Sequence, residues 1–210
     1  SCHEDGQIAL YPMFAENRRQ ERREDVLELI EKEGKSIEQV VDYTSAEEEE
    51  IFLEGTGSLL LDRKNRIAYC ALSPRADLDL FIEFCEDFEY TPIWFHAYQS
   101  VGDKRELIYH TNVMMALTEK MAIVCLEAID DKKERKNLID TLHKSGKSIV
   151  AITEEQVEQF AGNMLQVIGV DQERILVMSS AAYTSLSSEQ KDELKKESTL
   201  LHSDLKTVEY

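Results

Sequence analysis

The chain has 210 residues, enough for one large domain or two small ones with a buried core. Its 42 acidic side chains outnumber 24 basic ones, and the formal charge of −18 repels nucleic-acid phosphates and anionic membranes. Hydrophobic residues make up 42% of a folded composition, and no apolar run approaches the ~20 residues of a membrane span.

Residues 17–33 read as a charged amphipathic helix with Val26, Leu27, Leu29 and Ile30 on one side and Gly34 as its stop. Ser36–Val41 reads as a short strand. Ser58–Asp62 and Arg66–Leu72 form a hairpin around Arg63, Lys64 and Asn65. Asp77–Phe88 is a helix with Leu78, Phe81, Ile82 and Cys85 inward, followed by a strand over Pro92–Ala97. Val113–Leu117 and Met121–Leu126 make the next hairpin, then a helix over Lys132–Lys144 and a strand over Ser148–Ile152. Leu165–Val170 and Ile175–Ser179 make a third hairpin, and Ser187–Leu200 a last helix capped by Ser187 or Ser188. Leu205–Tyr210 reads as the start of a further strand. With Ser1 in place of a methionine, this creates an expectation of flanking sequence at both ends.

The pattern is a repeat of strand, turn, strand, helix, strand. Hairpins begin near Gln7, Ser58, Val113 and Leu165, at intervals of 51, 55 and 52 residues. Helices alternating with mixed strands suggest units set around an axis, about four of them here, with at least one more needed to close a ring. Polar residues recur just before each hairpin: His3, Glu54, His110 and Asn163. In a ring of repeats such positions converge, and a carboxylate beside an imidazole has the ingredients of acid–base chemistry. The glycines of Phe52–Ser58 permit sharp bends or close ligand approach. His110 and Asn112 share a face if their segment is extended. Read on their own, Glu54 is equally a solvated turn residue and His110 a structural histidine. Glu47–Glu50 reads as a solvated charge run. His3 is a further candidate for the central channel, while His96, His143 and His202 read as surface residues.

Four blocks carry a resemblance: Tyr11-Pro12-Met13 followed by Asn17-Arg18-Arg19-Gln20-Glu21; Phe52–Ser58; Ser73-Pro74-Arg75; and His110-Thr111-Asn112-Val113. Together, in this order, they resemble the guanidine-modifying enzymes of the pentein superfamily: arginine deiminases, dimethylargininases, amidinotransferases and citrulline ureidases. The likeness is strongest to the bacterial amidinotransferase-like group containing citrulline ureidases. It implies an α/β fold, a five-bladed α/β propeller of ββαβ repeats, here incomplete at both ends. Residues 1–210 would form a single catalytic domain with about four of five repeats.

The resemblance further implies a covalent mechanism in which a cysteine thiolate attacks a guanidino or ureido carbon. His110 would protonate the leaving nitrogen and activate water, and Glu54 would hold the imidazole and a substrate N–H. Arg18 and Arg75 match arginines that grip the α-carboxylate of an amino-acid substrate, a task suited to a bidentate fork. Asn112 stands where arginine deiminases carry Asp. An amide both donates and accepts, so a citrulline-like ureido substrate stands beside arginine and methylarginine. No cofactor and no metal are implied, and no nucleic-acid or membrane partner; a homodimer is compatible with the family.

No cysteine matches the family's nucleophile. Cys70, Cys85 and Cys125 lie in apolar runs and read as buried thiols. Cys2 falls in the wrong repeat. The nucleophile is therefore expected beyond Tyr210, after a glycine-rich segment. Wide cysteine spacing without a CxxC argues against zinc and for a reducing, cytoplasmic setting. Amidino transfer by the same machinery, and a non-catalytic propeller that binds a protein partner, are the competing functions.

Overall fold

The computed structural model describes residues 1–4 and 6–205. Its second to fourth units share one plan, an antiparallel pair, a helical crossover and a third strand parallel to the second. In the second unit a single helical turn, α2 (Gly55–Ser58) after α1 (Glu24–Lys32) of the first unit, leads into β3 (Leu59–Asp62). β3 pairs antiparallel with β4 (Ile67–Ala71), and α3 (Leu78–Asp87) then returns the chain to β5 (Thr91–Phe95), parallel to β4. After the hairpin β6 (Tyr98–Val101) and β7 (Lys104–Leu107), the third unit repeats the plan. It comprises α4 (Thr111–Met114), β8 (Met115–Leu117), β9 (Met121–Val124), α5 (Lys132–Lys144) and β10 (Ser148–Ala151). The short α6 (Glu154–Glu158) opens the fourth unit, with β11 (Leu165–Ile168), β12 (Arg174–Ser179), α7 (Ser180–Ser185), α8 (Ser188–Leu194) and β13 (Thr199–Ser203). The first strands of these units lie side by side, β3 against β8 and β8 against β11.

The first unit departs from the expected alignment. β1 (Gln7–Leu10) pairs parallel with β2 (Gln39–Asp42), as β4 does with β5. Gln7 thus begins a middle strand, not a first one. Of the preceding strand there is an isolated antiparallel bridge between Cys2 and Ile8. His3 therefore sits at a hairpin turn rather than at a strand entry, and its ring stacks on Phe88 at 4.2 Å.

Local chemistry explains most boundaries. Asp77 caps α3, its Oδ1 accepting from the N–H groups of Asp79 (2.9 Å) and Leu80 (3.1 Å), and Asp131 caps α5 in the same way. Ser187 with Gln190 forms a capping box at α8, and Thr153 with Gln156 one at α6. The expected helix over 17–33 is two pieces, a 3₁₀ segment Glu16–Glu21 and α1, broken at Arg22 and Arg23. Arg22 turns inward to the Tyr11 carbonyl (3.1 Å) and to Glu47, which an uninterrupted helix would not allow. The expected last helix ends at Leu194, and Thr199–Ser203 is strand β13, parallel to β12. The strand expected over Leu205–Tyr210 lies, but for Leu205, outside the described residues.

β4 is buried along its whole length, with its two faces serving two cores. Ile67, Tyr69 and Ala71 join Phe95, Met115, Ile123, Leu138 and Leu142. Ala68, Cys70 and Leu72 join Tyr43, Leu53, Phe81, Phe84 and Phe88. Period-two alternation thus ties the second unit to its neighbours on both sides. At the far end of β3, the buried Asp62 pairs with the buried Lys147 at 3.0 Å. The Lys147 ammonium also donates to the carbonyls of Thr118 and Glu119, both at 3.1 Å, and Asn65 donates to Asp62 at 2.8 Å. With its partners satisfied the pair fixes how the second unit meets the third. Removing one partner leaves a buried charge uncompensated.

We expect Lys147→Met to lower unfolding stability by about 3 kcal/mol, and Asp62→Asn combined with it to recover part of that loss. Chemical denaturation of the four proteins of the cycle measures this; additive losses would show that the pair is not coupled.

Candidate active site

Two helical turns carry the site. Phe52–Gly55 runs into α2, and His110 is the residue before α4. The turns pack on one another because their strands, β3 and β8, are neighbours. Thr111 locks them: its hydroxyl donates to the Ser58 carbonyl and accepts from the Ala71 N–H at 2.7 Å. The Arg75 carbonyl accepts from both the Glu54 N–H and the Ser58 hydroxyl, each at 3.1 Å.

Glu54 and His110, 56 positions apart, meet there. His110 Nε2 lies 2.5 Å from Glu54 Oε2, with the Glu54 side chain 1% and the His110 side chain 10% exposed. The other oxygen of Glu54 accepts from the Phe14 N–H at 2.9 Å. An ionised carboxylate only accepts, so Nε2 carries the hydrogen and Nδ1 the lone pair. Gly57 makes the ring's position possible, since a Cβ there would lie 2.8 Å from Nδ1. Burial lowers the pKa of His110 below the ordinary histidine value of 6.5, partly offset by the Glu54 hydrogen bond and charge; the Arg75 and Arg18 charges lower it further. Burial thus favours the neutral ring, and Glu54 is placed to stabilise a proton that the ring takes up.

Beside the pair opens a cleft of about 340 Å³. Glu54, Gly55 and Thr56 line it together with Cys2, Tyr11, Met13, Arg18, Glu21 and the apolar Val26, Leu27 and Ile30 of α1; His110 touches Glu54 but is not among the lining residues. Arg18 is 42% exposed and holds Glu21 through two 3.0 Å hydrogen bonds. Arg75 Nη1 lies 3.5 Å from Glu54. Asn112 is half-buried, with no side-chain hydrogen bond among the described residues. It does not share a face with His110, because the backbone is extended only at His110 and turns helical from Thr111. Asn163 is exposed.

Several contributors escaped the reading of the sequence. Glu47 is not solvated. Its carboxylate accepts from the Met13 N–H at 2.7 Å, binds Arg22 and lies 3.3 Å from Arg19, holding the segment that crosses Glu54. Nothing within a run of four glutamates marks that one. Phe14 and Tyr109 lie within cation–π reach of Arg75, and Ser58 and Thr111 belong to the Phe52–Ser58 and His110–Val113 segments. The hairpin β6–β7, which leads into His110, has little apolar alternation, though Gly102 (φ 60°) marks its turn. Arg105 pins that hairpin to Asp130 at 2.8 Å and to Glu154.

The thiols are free, and three are buried. Burial pushes Cys85 up to about 12, Cys125 up to about 11 and Cys70 higher, so each stays protonated. Cys2 is exposed. Among the described residues no group of three or more His, Cys, Asp or Glu could hold a metal ion, and no helix is long and apolar enough to cross a membrane.

We expect His110 to titrate below 6.5 in an NMR pH series. Since the Glu54 bond and charge raise its pKa, Glu54→Gln should move the titration lower still. The unfolded chain then binds the extra proton below pH 6.5, so this group's contribution to stability falls as the pH drops from there toward the native pKa. A midpoint at or above 6.5 contradicts the dominance of burial over pairing, and an upward move in Glu54→Gln contradicts the Glu54–His110 contact.

The fold recurs in solved enzymes. The N-terminal domain of ArgZ, an arginine dihydrolase from the ornithine–ammonia cycle in cyanobacteria, solved as a Cys→Ser mutant bound to substrate, superposes with a TM-score of 0.68 at 17% identity, over 97% of this chain and 66% of that one. AgrE, solved as a Cys→Ala mutant with L-arginine, gives 0.70 at 18% identity, over 97% and 27%. The dimethylarginine dimethylhydrolase DDAH from Pseudomonas aeruginosa, a Cys→Ser mutant with citrulline, gives 0.53 at 14% identity, over 95% and 64%. The chain spans only 28% of the apo ArgZ chain. At these identities the likeness establishes the fold, that of the pentein enzymes. No curated protein matches at the level of sequence. The family model of eukaryotic N,N-dimethylarginine dimethylhydrolase matches residues 1–210, the entire chain, which therefore belongs to that family.

Proposed function

We propose that the chain carries the acid–base half of a hydrolase that cleaves a C–N bond of a guanidino or ureido amino acid of the arginine, methylarginine or citrulline type. The carrying observation is the buried Glu54–His110 contact at the edge of a cleft that also presents Arg18. The cleft offers an anion for a planar cationic or ureido group and a cation for a carboxylate, the two poles of such a ligand. Membership of the dimethylarginine dimethylhydrolase family supports the reaction class. Relatives captured with substrate, L-arginine or citrulline support the substrate class. An ArgZ N-terminal domain covalently bound to a reaction intermediate supports the covalent route.

In this reading a thiol passes its proton to neutral His110, and its thiolate attacks the central carbon. The C–N bond breaks as His110 returns the proton to the departing nitrogen, with Glu54 stabilising the transient imidazolium. His110, neutral again, takes a proton from water; the resulting hydroxide attacks the carbon, the C–S bond breaks, and the departing thiolate takes the proton back from His110. Cys70, Cys85 and Cys125 are excluded as the nucleophile by burial. We place the reactive thiol outside residues 1–210. Arg18, Arg75 and Asn112 are assigned to the substrate, the arginines to its α-carboxylate and Asn112 to the guanidino or ureido end.

The test is steady-state turnover by the full-length protein of L-arginine, N,N-dimethylarginine and citrulline, following the released amine or ammonia. We expect one of the three to be hydrolysed, and His110→Asn to lower kcat by about 10²- to 10⁴-fold in a protein that circular dichroism shows to be folded at the assay temperature. Undiminished turnover in His110→Asn, or none of the three consumed by the wild type, refutes the reading.

A further inference from the structure

The cation that lies against Glu54 is itself a guanidinium. Arg75 Nη1 is 3.5 Å from Glu54 Oε2, and Arg75 Cζ stands 4.8 Å from the centre of the Tyr109 ring and 5.6 Å from that of Phe14. A carboxylate oxygen on one side and two aromatic rings within cation–π reach make a setting that favours a planar cation. The two ends of Arg75 differ in how they are held. Its main chain is fixed on both sides: the N–H donates to Ser73 Oγ at 3.0 Å, and the carbonyl accepts from the Glu54 N–H and the Ser58 hydroxyl. Its side chain is 31% exposed and makes no hydrogen bond among the described residues. Tyr109 and Phe14 are each 45% exposed, so the Arg75 side chain can leave toward solvent while both rings stay on their inner neighbours, Phe14 on Phe52 at 5.3 Å and Tyr109 on His110 at 4.8 Å.

Resting on the functional reading above, the geometry points to Arg75 as a displaceable internal competitor. In the free protein its guanidinium fills the place beside Glu54 that a guanidino ligand takes. An entering ligand expels it, sets its own planar cation against the Tyr109 and Phe14 rings, and gives the freed fork a carboxylate to bind. No covalent bond changes. Selectivity follows, because a ligand with both a guanidinium and a carboxylate compensates the expelled arginine, whereas a bare guanidinium does not. Arg75 thus keeps small cations off Glu54 in a protein whose charge of −18 attracts them.

Calorimetric titration of the full-length protein with methylguanidinium and with L-arginine tests this, on wild type, Arg75→Met and Arg75→Lys. We expect Arg75→Met to bind methylguanidinium about tenfold more tightly, and L-arginine about tenfold more weakly, than wild type. Arg75→Lys keeps the charge and loses the planar stack. It should shift methylguanidinium in the same direction by a smaller factor, and it is the variant read if Arg75→Met does not fold. Bound methylguanidinium should also show NMR contacts to the Tyr109 and Phe14 rings. Methylguanidinium affinity unchanged or weakened in both variants, or raised in Arg75→Met alone as loss of charge requires, overturns the proposal while L-arginine binding upholds the functional reading. Failure of every protein to bind either probe overturns both.

Discussion

Everything at the site depends on one buried contact, the Glu54 carboxylate against the His110 imidazole. A buried carboxylate is tolerated only when hydrogen-bonded, and Glu54 is held by the Phe14 N–H, by His110 and by the nearby Arg75. The partners come from three separate stretches of chain. The contact exists only while the second and third units stay in register and the segment after β1 crosses over them. Burial and pairing act in opposite directions on the imidazole, and burial prevails. Burial favours the neutral ring while the carboxylate beside it favours the charged one, the balance on which the proposed proton transfer rests.

The fold supplies that register with few devices. Two faces of β4 feed two cores. Asp62 and Lys147 clamp the second unit to the third at the end of β3 remote from Glu54, and Thr111 ties α4 to α2 at the near end. Glu47 holds the Arg19 and Arg22 side chains, and with them the loop that delivers the Phe14 N–H. Glycine appears where the machinery is tightest: Gly57 admits the imidazole, and Gly55, at φ 49°, lies against the Tyr11 ring.

Much of this was legible in the sequence because repeats carry their own alignment. The period near fifty residues located the three hairpins, and polar residues before two of them proved to be the two that touch. The first unit misled for a physical reason: Gln7–Leu10 has the apolar look of any strand, and only its parallel pairing with β2 reveals it as a middle strand. His3 was carried along by that shift. Composition hid Glu47 among its neighbours. Asn112 turned away from His110 because a helical turn, dictated by packing on α2, replaced the extended backbone that alternation assumes. The aromatic pair around Arg75 leaves no trace in sequence, since Phe14 and Tyr109 lie in different units.

The most direct measurement is the imidazole signal of His110 in the full-length protein, followed by NMR as L-arginine or citrulline is added. The account predicts a saturable shift of that signal with at least one of the two, lost when Glu54 is replaced by Gln. A His110 signal that ignores both ligands while they bind elsewhere on the protein would contradict it.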